Sequence, residues 1–215
     1  MRSPIAVIAA GGYGKRLGYG VPKSLIMCEG DPMISHVLRS FANAGVDRFI
    51  IFNDRPEFDH QLRVIGSGFS AAVMNDEGVD STIALARRAM PLFADEDFLF
   101  AYGHAPRPAS FLRRLLAAHA DVTATGVWSS SKTSPIRSRQ GFWIEPPYRI
   151  HRSTLQNCSA SCWGGFFDST TTEVVPVMIS EPGEFNYSAD LRLYRPYVRN
   201  LVLGDRCSEL HSFAH

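Results

Sequence analysis

Apolar positions come in short blocks separated by polar and glycine-rich stretches, and the blocks alternate between two periods. Ile5 to Ala9 is a continuous apolar run that ends in glycines, the pattern of a strand buried on both faces. Ile34, Val37, Leu38 and Phe41 fall at i, i+3, i+4 and i+7, which predicts a helix with one apolar face. Asn43-Ala44-Gly45 supplies its C-terminal stop, and Phe49 to Phe52 is the next buried strand, closed by Asn53-Asp54. The first 53 residues therefore read strand, loop, helix, strand.

The alternation continues. Ala71 to Met74 is a strand candidate, and Ser81 can cap a helix through Ile83, Leu85 and Ala89. Phe98 to Tyr102 predicts a strand stopped by Gly103. Phe111, Leu112, Leu115 and Leu116 predict a second amphipathic helix, and Val122 to Val127 a further strand. Strands alternating with helices imply an α/β fold, a mostly parallel sheet flanked by helices on both faces. After residue 128 the rhythm changes. Residues 129–135 form a polar loop, and Gln140 to Ile150 has no helical period. Trp163 to Phe167 and Val174 to Ile179 read as strands, and Asp190 to Tyr197 as a closing helix that Pro196 interrupts. There is no internal repeat.

Composition narrows the classes of function. The 215 residues are 45% hydrophobic and 20% charged, as in an ordinary globular protein. A net charge of +1 from 22 basic and 21 acidic residues gives no global attraction to nucleic acid or to an anionic membrane. No apolar run approaches the roughly 18–20 residues of a membrane span. The N-terminal apolar block is too short for a secretory signal, so the expected location is cytoplasmic. Cys28, Cys158, Cys162 and Cys207 are then expected as thiols. Cys158 and Cys162 are four apart and can share a helix face, with His151 upstream, but two ordinary thiols is the better reading than a metal site.

The chemistry sits in the first loop. A strand followed by Gly11-Gly12-Tyr13-Gly14 lets backbone N–H groups approach phosphate oxygens with no Cβ in the way. Lys15, Arg16 and Lys23 bring three cations within nine residues. The dinucleotide fingerprint fails at its third glycine, where Leu17 stands, and the P-loop pattern fails because Lys23-Ser24 follows Pro22. A structural turn carrying exposed basic residues is the alternative.

The wider stretch is more specific. Ile8-Ala9-Ala10-Gly11-Gly12-Tyr13-Gly14-Lys15-Arg16-Leu17-Gly18, followed by Val21-Pro22-Lys23-Ser24-Leu25, resembles the signature of the sugar-phosphate nucleotidyltransferase superfamily. That signature runs A-G-G-x-G-x-R-L, a short gap, then P-K-x-L. The resemblance continues through Gly30-Asp31-Pro32-Met33-Ile34 to the strand at 48–52, and by layout alone beyond it.

The resemblance implies a Rossmann-like, glycosyltransferase-A-like domain over residues 1–215, with 1–128 the nucleotide-binding half and 129–215 the acceptor half. It implies transfer of a nucleoside monophosphate from a triphosphate to a phosphorylated small molecule, commonly a sugar 1-phosphate, with Mg²⁺ and release of pyrophosphate. Ala10, Gly11 and Gly12, with Gly14 in the same loop, are then expected to hold the nucleotide, Arg16 the departing phosphates and Lys23 the transferring phosphate. In Asn75 to Thr82, Gly78 and Ser81 are candidates to touch base or ribose, beside the plainer reading of a loop with an N-cap serine. The superfamily usually has Gly-Asp at the end of the strand that here is Phe98 to Tyr102, where the aspartate binds Mg²⁺; this chain has Gly103-His104. The second metal position falls on Asn186. A His and Asn pair suits Mg²⁺ poorly and Mn²⁺ or Zn²⁺ better. His104 can instead meet a phosphate, or merely cap the strand of a protein that has lost catalysis. Arg107, Arg113, Arg114, Arg137, Arg139, Arg149 and Arg152 are candidates for an acceptor-phosphate binder, and Trp143 and Tyr148 for the acceptor wall. Within enzymes the alternative is a cytidylyltransferase of a polyol phosphate or phosphonate. Outside them it is a nucleotide- or partner-binding protein of the same fold. Neither nucleic acid nor membrane is expected as a partner.

Overall fold

The computed structural model describes residues 4–12, 18, 20–76, 78–94, 97–127, 136, 142–177, 192 and 194–203. Its strands are β1 (Ile5–Ala9), β2 (Met27–Cys28), β3 (Asp31–Pro32), β4 (Arg48–Asn53), β5 (Ala71–Asn75), β6 (Asp97–Tyr102), β7 (Val122–Val127), β8 (Trp143–His151) and β9 (Glu173–Pro176). The α-helices that carry names are α1 (Met33–Asn43), α2 (Asp59–Gly66), α3 (Thr82–Ala89), α4 (Ala109–Ala117), α5 (Arg152–Asn157) and α6 (Trp163–Ser169).

Seven strands form one sheet in the order β5-β4-β1-β6-β8-β7-β9, and β2 pairs with β3 in a small hairpin. β5, β4, β1 and β6 are all parallel, so their C-terminal ends share one edge. β8 runs antiparallel to both of its neighbours. The apolar block of β1 alternates between two cores. Ile5 and Val7 pack on the face that holds Ile83, Leu85 and Ala86 of α3, with Leu155 and Trp163. Ala6 and Ile8 pack on the opposite face with Val37 and Phe41 of α1, Leu62 of α2 and Leu115 of α4. A strand between two apolar layers has no polar side to present, which is why its sequence shows a run and not an alternation.

Three sequence expectations change, and one helix is added. Trp163 to Phe167 is helical: Trp163, Phe166 and Phe167 sit at i, i+3 and i+4 and bury one face, while Cys162 accepts the Gly165 N–H at the N-cap. The two glycines are tolerated because aromatic burial outweighs their propensity cost of about 1 kcal/mol each. Cys158 and Cys162 share no helix face, since one follows α5 and the other caps α6. α2 was not legible, having only Leu62 and Gly66 buried. Residues 194–203 are helical straight through Pro196, held by Tyr194 and Val198, which pack on Ile26, Cys28 and Met33. Arg199 adds two hydrogen bonds to Glu29, 2.9 and 3.2 Å, tying this helix to the β2–β3 turn. Of Val174 to Ile179, the described part forms edge strand β9. Asp190, Cys207 and residues 129–135 lie outside the described residues.

Candidate nucleotide site

The parallel strands place four chain segments along one edge. Ala9, Phe52, Met74 and Tyr102 occupy the same level of the ladder. Just past them come Gly11-Gly12, Asp54, Asp76 and His104. In open α/β sheets ligands bind outside the carboxyl ends of the strands. Here that edge opens into a cavity of about 330 Å³.

The loop leaves β1 under tight control. The Ala10 N–H donates to the Phe52 carbonyl at 2.8 Å and the Gly103 N–H to the Ala9 carbonyl at 2.9 Å, so the chain stays in register to its last sheet position. Gly12 then turns with φ +97°, a left-handed value that favours glycine. Its N–H donates to the Asp54 carboxylate at 2.7 Å. Gly11 must lack a Cβ, which would collide with that same carboxylate. Gly14, Arg16 and Asn186 lie outside the described residues.

Lys23 begins one turn of 3-10 helix, Lys23–Leu25. Ser24 is buried and its hydroxyl donates to the Ala10 carbonyl, and a Cβ on Gly103 would stand 3.1 Å from the Ser24 Cβ. The Pro-Lys-Ser segment is thus pinned over the β1–β6 junction. Lys23, Gly11 and Gly12 all line the cavity, as the motif implies. Ala10 does not line the cavity; its carbonyl holds the Ser24 hydroxyl.

His104 also lines the cavity, is 8% exposed, and stacks on Tyr102 with ring centroids 5.4 Å apart and an interplanar angle of 6°. Ser81 meets its N-cap reading and also faces the cavity. It caps α3, accepting the Ala84 N–H at 3.4 Å, and it lines the cavity while donating to the Ser161 carbonyl at 3.1 Å. Gly78 shapes the preceding turn with φ +80°.

Three cavity residues escaped the sequence reading: Asp54, Asp76 and Asp80. Asp76 is 8% exposed, and its Oδ1 is buried with no hydrogen-bond partner among the described residues. Burial pushes its carboxyl above the usual carboxylate range, and the charge of Asp54 adds to the rise. The available signal was positional, an acidic residue directly after each of two parallel strands.

None of the remaining described candidates lines the cavity. Arg107 is fully buried, 3.8 Å from Glu145. Arg113 donates to the Asn43 carbonyl, Arg149 to Asp97 and two carbonyls, and Arg152 to the Phe93 carbonyl. Tyr148 belongs to one core, and Trp143 packs against the other. Arg137 and Arg139 lie outside the described residues. No group of three or more His, Cys, Asp or Glu among the described residues is placed to hold a metal. An imidazole at 104 is by itself a poor ligand for Mg²⁺, while Asp54, Asp76 and Asp80 line the same cavity with hard carboxylate oxygens. No helix among them is long and apolar enough to cross a membrane.

A glycine loop, a lysine and a mostly parallel sheet meeting at one cavity define a nucleotidyltransferase-like α/β protein. The MobA-like NTP transferase domain matches residues 6–161, and the chain belongs to that family. The bifunctional protein GlmU of Rhizobium leguminosarum is 29% identical over 139 residues, which cover 61% of this chain and 30% of that protein. The 2-C-methyl-D-erythritol 4-phosphate cytidylyltransferase of Clostridium perfringens is 37% identical over 70 residues, 32% of this chain and 31% of that one. The chain thus spans about a third of the length of the curated relatives it matches. Among solved structures, a nucleotidyl transferase from Methanothermobacter superposes with a TM-score of 0.71 at 20% identity, covering 93% of this chain and 99% of that one. The inositol-1-phosphate CTP transferase of T. maritima gives 0.67 at 15% identity, with 81% and 85% covered.

Proposed function

We propose that this protein transfers a nucleoside monophosphate from a nucleoside triphosphate to a phosphorylated small molecule, a sugar 1-phosphate first among the candidates, and releases pyrophosphate. One observation carries the reading: the Gly11-Gly12 turn and Lys23 face one cavity at the carboxyl edge of the sheet. An oxygen of the acceptor phosphate attacks the α-phosphorus; that O–P bond forms as the bond to the bridging oxygen of pyrophosphate breaks. The acceptor is already anionic at neutral pH, so no general base is required. Positioning and cations do the work. In this reading Lys23 meets the transferring phosphate, Arg16 the departing ones, and loop N–H groups the nucleotide. Gly78 and Ser81 shape the base and ribose side. Mg²⁺ and Mn²⁺ enter as conditions to be compared.

A second reading, a cytidylyltransferase of a polyol phosphate or phosphonate, is favoured by the likeness to the Clostridium cytidylyltransferase. A third, a nucleotide-binding protein without turnover, is favoured by His104 where the superfamily has aspartate. The test is pyrophosphate release over four triphosphates, with sugar 1-phosphates, polyol phosphates and phosphonates, in Mg²⁺ and in Mn²⁺. Acceptor-dependent release supports transfer, and the acceptor that works separates the first two readings. Binding without release in any combination supports the third.

A further inference from the structure

Two thiols stand behind one wall of the cavity. Cys158 follows α5 and Cys162 caps α6, and the segment between them belongs to neither helix nor strand. That segment is fastened to α3 by three hydrogen bonds. Arg87 donates to the Cys158 carbonyl at 2.6 Å, Ser81 to the Ser161 carbonyl at 3.1 Å, and the Trp163 indole N–H to the Thr82 hydroxyl at 2.9 Å. Ser81 and Thr82 line the cavity. The Cys158 sulfur accepts the Ala160 N–H at 3.5 Å and lies 3.3 Å from the Ser169 hydroxyl. Cys162 is exposed, and its sulfur accepts the Gly165 N–H at 3.5 Å. A Cβ on Gly165 would stand 3.4 Å from the Ala160 Cβ and 3.9 Å from the Cys162 sulfur, so both thiols border the contact of Ala160 with Gly165.

We infer that Cys158 and Cys162 are a thiol pair oxidised by hydroperoxides, Cys158 first and Cys162 resolving it to a disulfide, and that the disulfide loosens the α3 wall of the cavity. The effect on the cavity rests on the nucleotidyltransferase reading above; the thiol chemistry does not. In the first step the Cys158 thiolate attacks a hydroperoxide oxygen. The S–O bond forms, the O–O bond breaks, and the leaving alkoxide or hydroxide takes a proton. In the second, Cys162 attacks the Cys158 sulfur. The S–S bond forms, the S–O bond breaks, and hydroxide departs as water with the Cys162 proton. Two thiols are oxidised and one hydroperoxide is reduced. The surroundings favour Cys158 as the attacking sulfur. The Ser169 hydroxyl, 3.0 Å from the Phe166 carbonyl, has one proton and can turn it to a thiolate instead. With the Ala160 N–H and the charge of Arg87, it holds the Cys158 thiol below the usual cysteine range. Cys28 is the opposite case, buried and pushed up by that burial. A disulfide needs its two Cα atoms about 4.4–6.8 Å apart in a fixed orientation, so closing it redirects the carbonyls between them. The Cys158 and Ser161 carbonyls are the ones that hold Arg87 and Ser81.

The experiment treats the full chain with hydrogen peroxide and follows each thiol by peptide mass spectrometry. Expected is a Cys158–Cys162 link that forms about tenfold or more faster than Cys28 oxidises. In Cys162→Ser the sulfenic acid on Cys158 should persist and be trapped by dimedone. The mapping of native protein stands even if the variant folds poorly. A link from Cys158 to Cys207, no link at all, or Cys158 reacting no faster than Cys28 overturns the pair. Calorimetry with ATP, GTP, CTP and UTP then compares reduced and linked protein. The linked form should bind about fivefold or more weakly, and dithiothreitol should restore the affinity. Equal affinity in the two forms overturns the effect on the cavity and leaves the thiol pair standing. No triphosphate binding by the reduced protein overturns that effect together with the nucleotidyltransferase reading, and again leaves the thiol pair.

Discussion

The N–H of Gly12 is held by the carboxylate of Asp54 at 2.7 Å, so a backbone donor of the glycine loop already has an anion upon it. The bond joins the ends of two neighbouring strands, β1 and β4, and fixes the loop's exit. It also places negative charge where a triphosphate must approach. Asp54→Asn keeps an acceptor oxygen and removes the charge. Triphosphate affinity is expected to rise about two- to fivefold at low salt, the scale of exposed charge pairs, and the gain should shrink in 0.5 M salt. Calorimetry at the two salt concentrations checks it; weaker binding by the variant would mean that Asp54 helps to hold the nucleotide.

Gly11 is the position where the loop tolerates no side chain. A Cβ there would meet both the carboxylate and the backbone nitrogen of Asp54, the latter at 2.8 Å, and backbone cannot swing aside. Gly11→Ala should therefore displace the loop and cut triphosphate affinity at least about tenfold, as a loss of about 1.4 kcal/mol implies. The parallel sheet below should survive, so thermal melts should change far less than binding. A variant that binds as the native protein does would remove the loop from the site.

The first half of the fold was legible because its periods are clean: β1, α1, β4, α3, β6, α4 and β7 all fall where apolar spacing placed them. α6 was misread because Gly164-Gly165 between aromatics looks like a strand end, and the helical spacing of Trp163, Phe166 and Phe167 was overlooked. Gly11, Gly12, Lys23, Ser81 and His104 were all singled out in the sequence, and all five line one cavity. Asp54 and Asp76 were not. An acidic residue after a strand looks like ordinary turn chemistry until the sheet order puts β5 beside β4 beside β1. That order is set by packing between distant segments, which no local pattern records.

Asp76 makes a stability prediction with a definite sign. Its carboxyl is raised in the folded protein, chiefly by burial and further by Asp54. A raised acid loses a proton more readily when unfolded, so folding stability is fully present below the ordinary aspartate value of about 3.9 and declines as pH rises through the raised folded value. Asn does not titrate. Asp76→Asn should therefore melt higher than the native chain at pH 8, with the gain fading below about pH 4. Melts across that range decide it. A variant less stable than native at pH 8 would show that the carboxylate is satisfied in the free protein.

Lys23 separates charge from packing. Its neighbour Ser24 is anchored to Ala10, while Lys23 itself reaches the cavity. Lys23→Ala should lower turnover by tenfold or more, since a cation beside the transferring phosphate acts most strongly in the transition state, with a melting temperature close to native. Arg16→Ala should likewise weaken triphosphate binding or turnover without unfolding the chain. Unchanged binding and turnover in both would sink the phosphate-loop assignment.

His104 stands where the superfamily signature has a metal-binding aspartate, at the end of β6 and against Tyr102. A neutral imidazole there offers Mg²⁺ neither charge nor a hard oxygen. His104→Asp supplies both, in a cavity already lined by Asp54 and Asp76. The variant is expected to bind Mg²⁺ together with triphosphate more tightly than the native chain, seen as a larger Mg²⁺-dependent rise in melting temperature. Mg²⁺-supported pyrophosphate release should increase, or begin where the native protein shows none. The opposite result has its own meaning. If imidazole serves a softer ion or meets phosphate directly, the substitution should reduce a native activity seen with Mn²⁺. Charge sharpens the contrast, because aspartate beside a phosphate without its cation repels it. Titrations of native and variant protein with triphosphate in Mg²⁺, in Mn²⁺ and in chelator therefore distinguish the two roles. If affinity is unchanged in all three, His104 belongs to the strand end and not to the site.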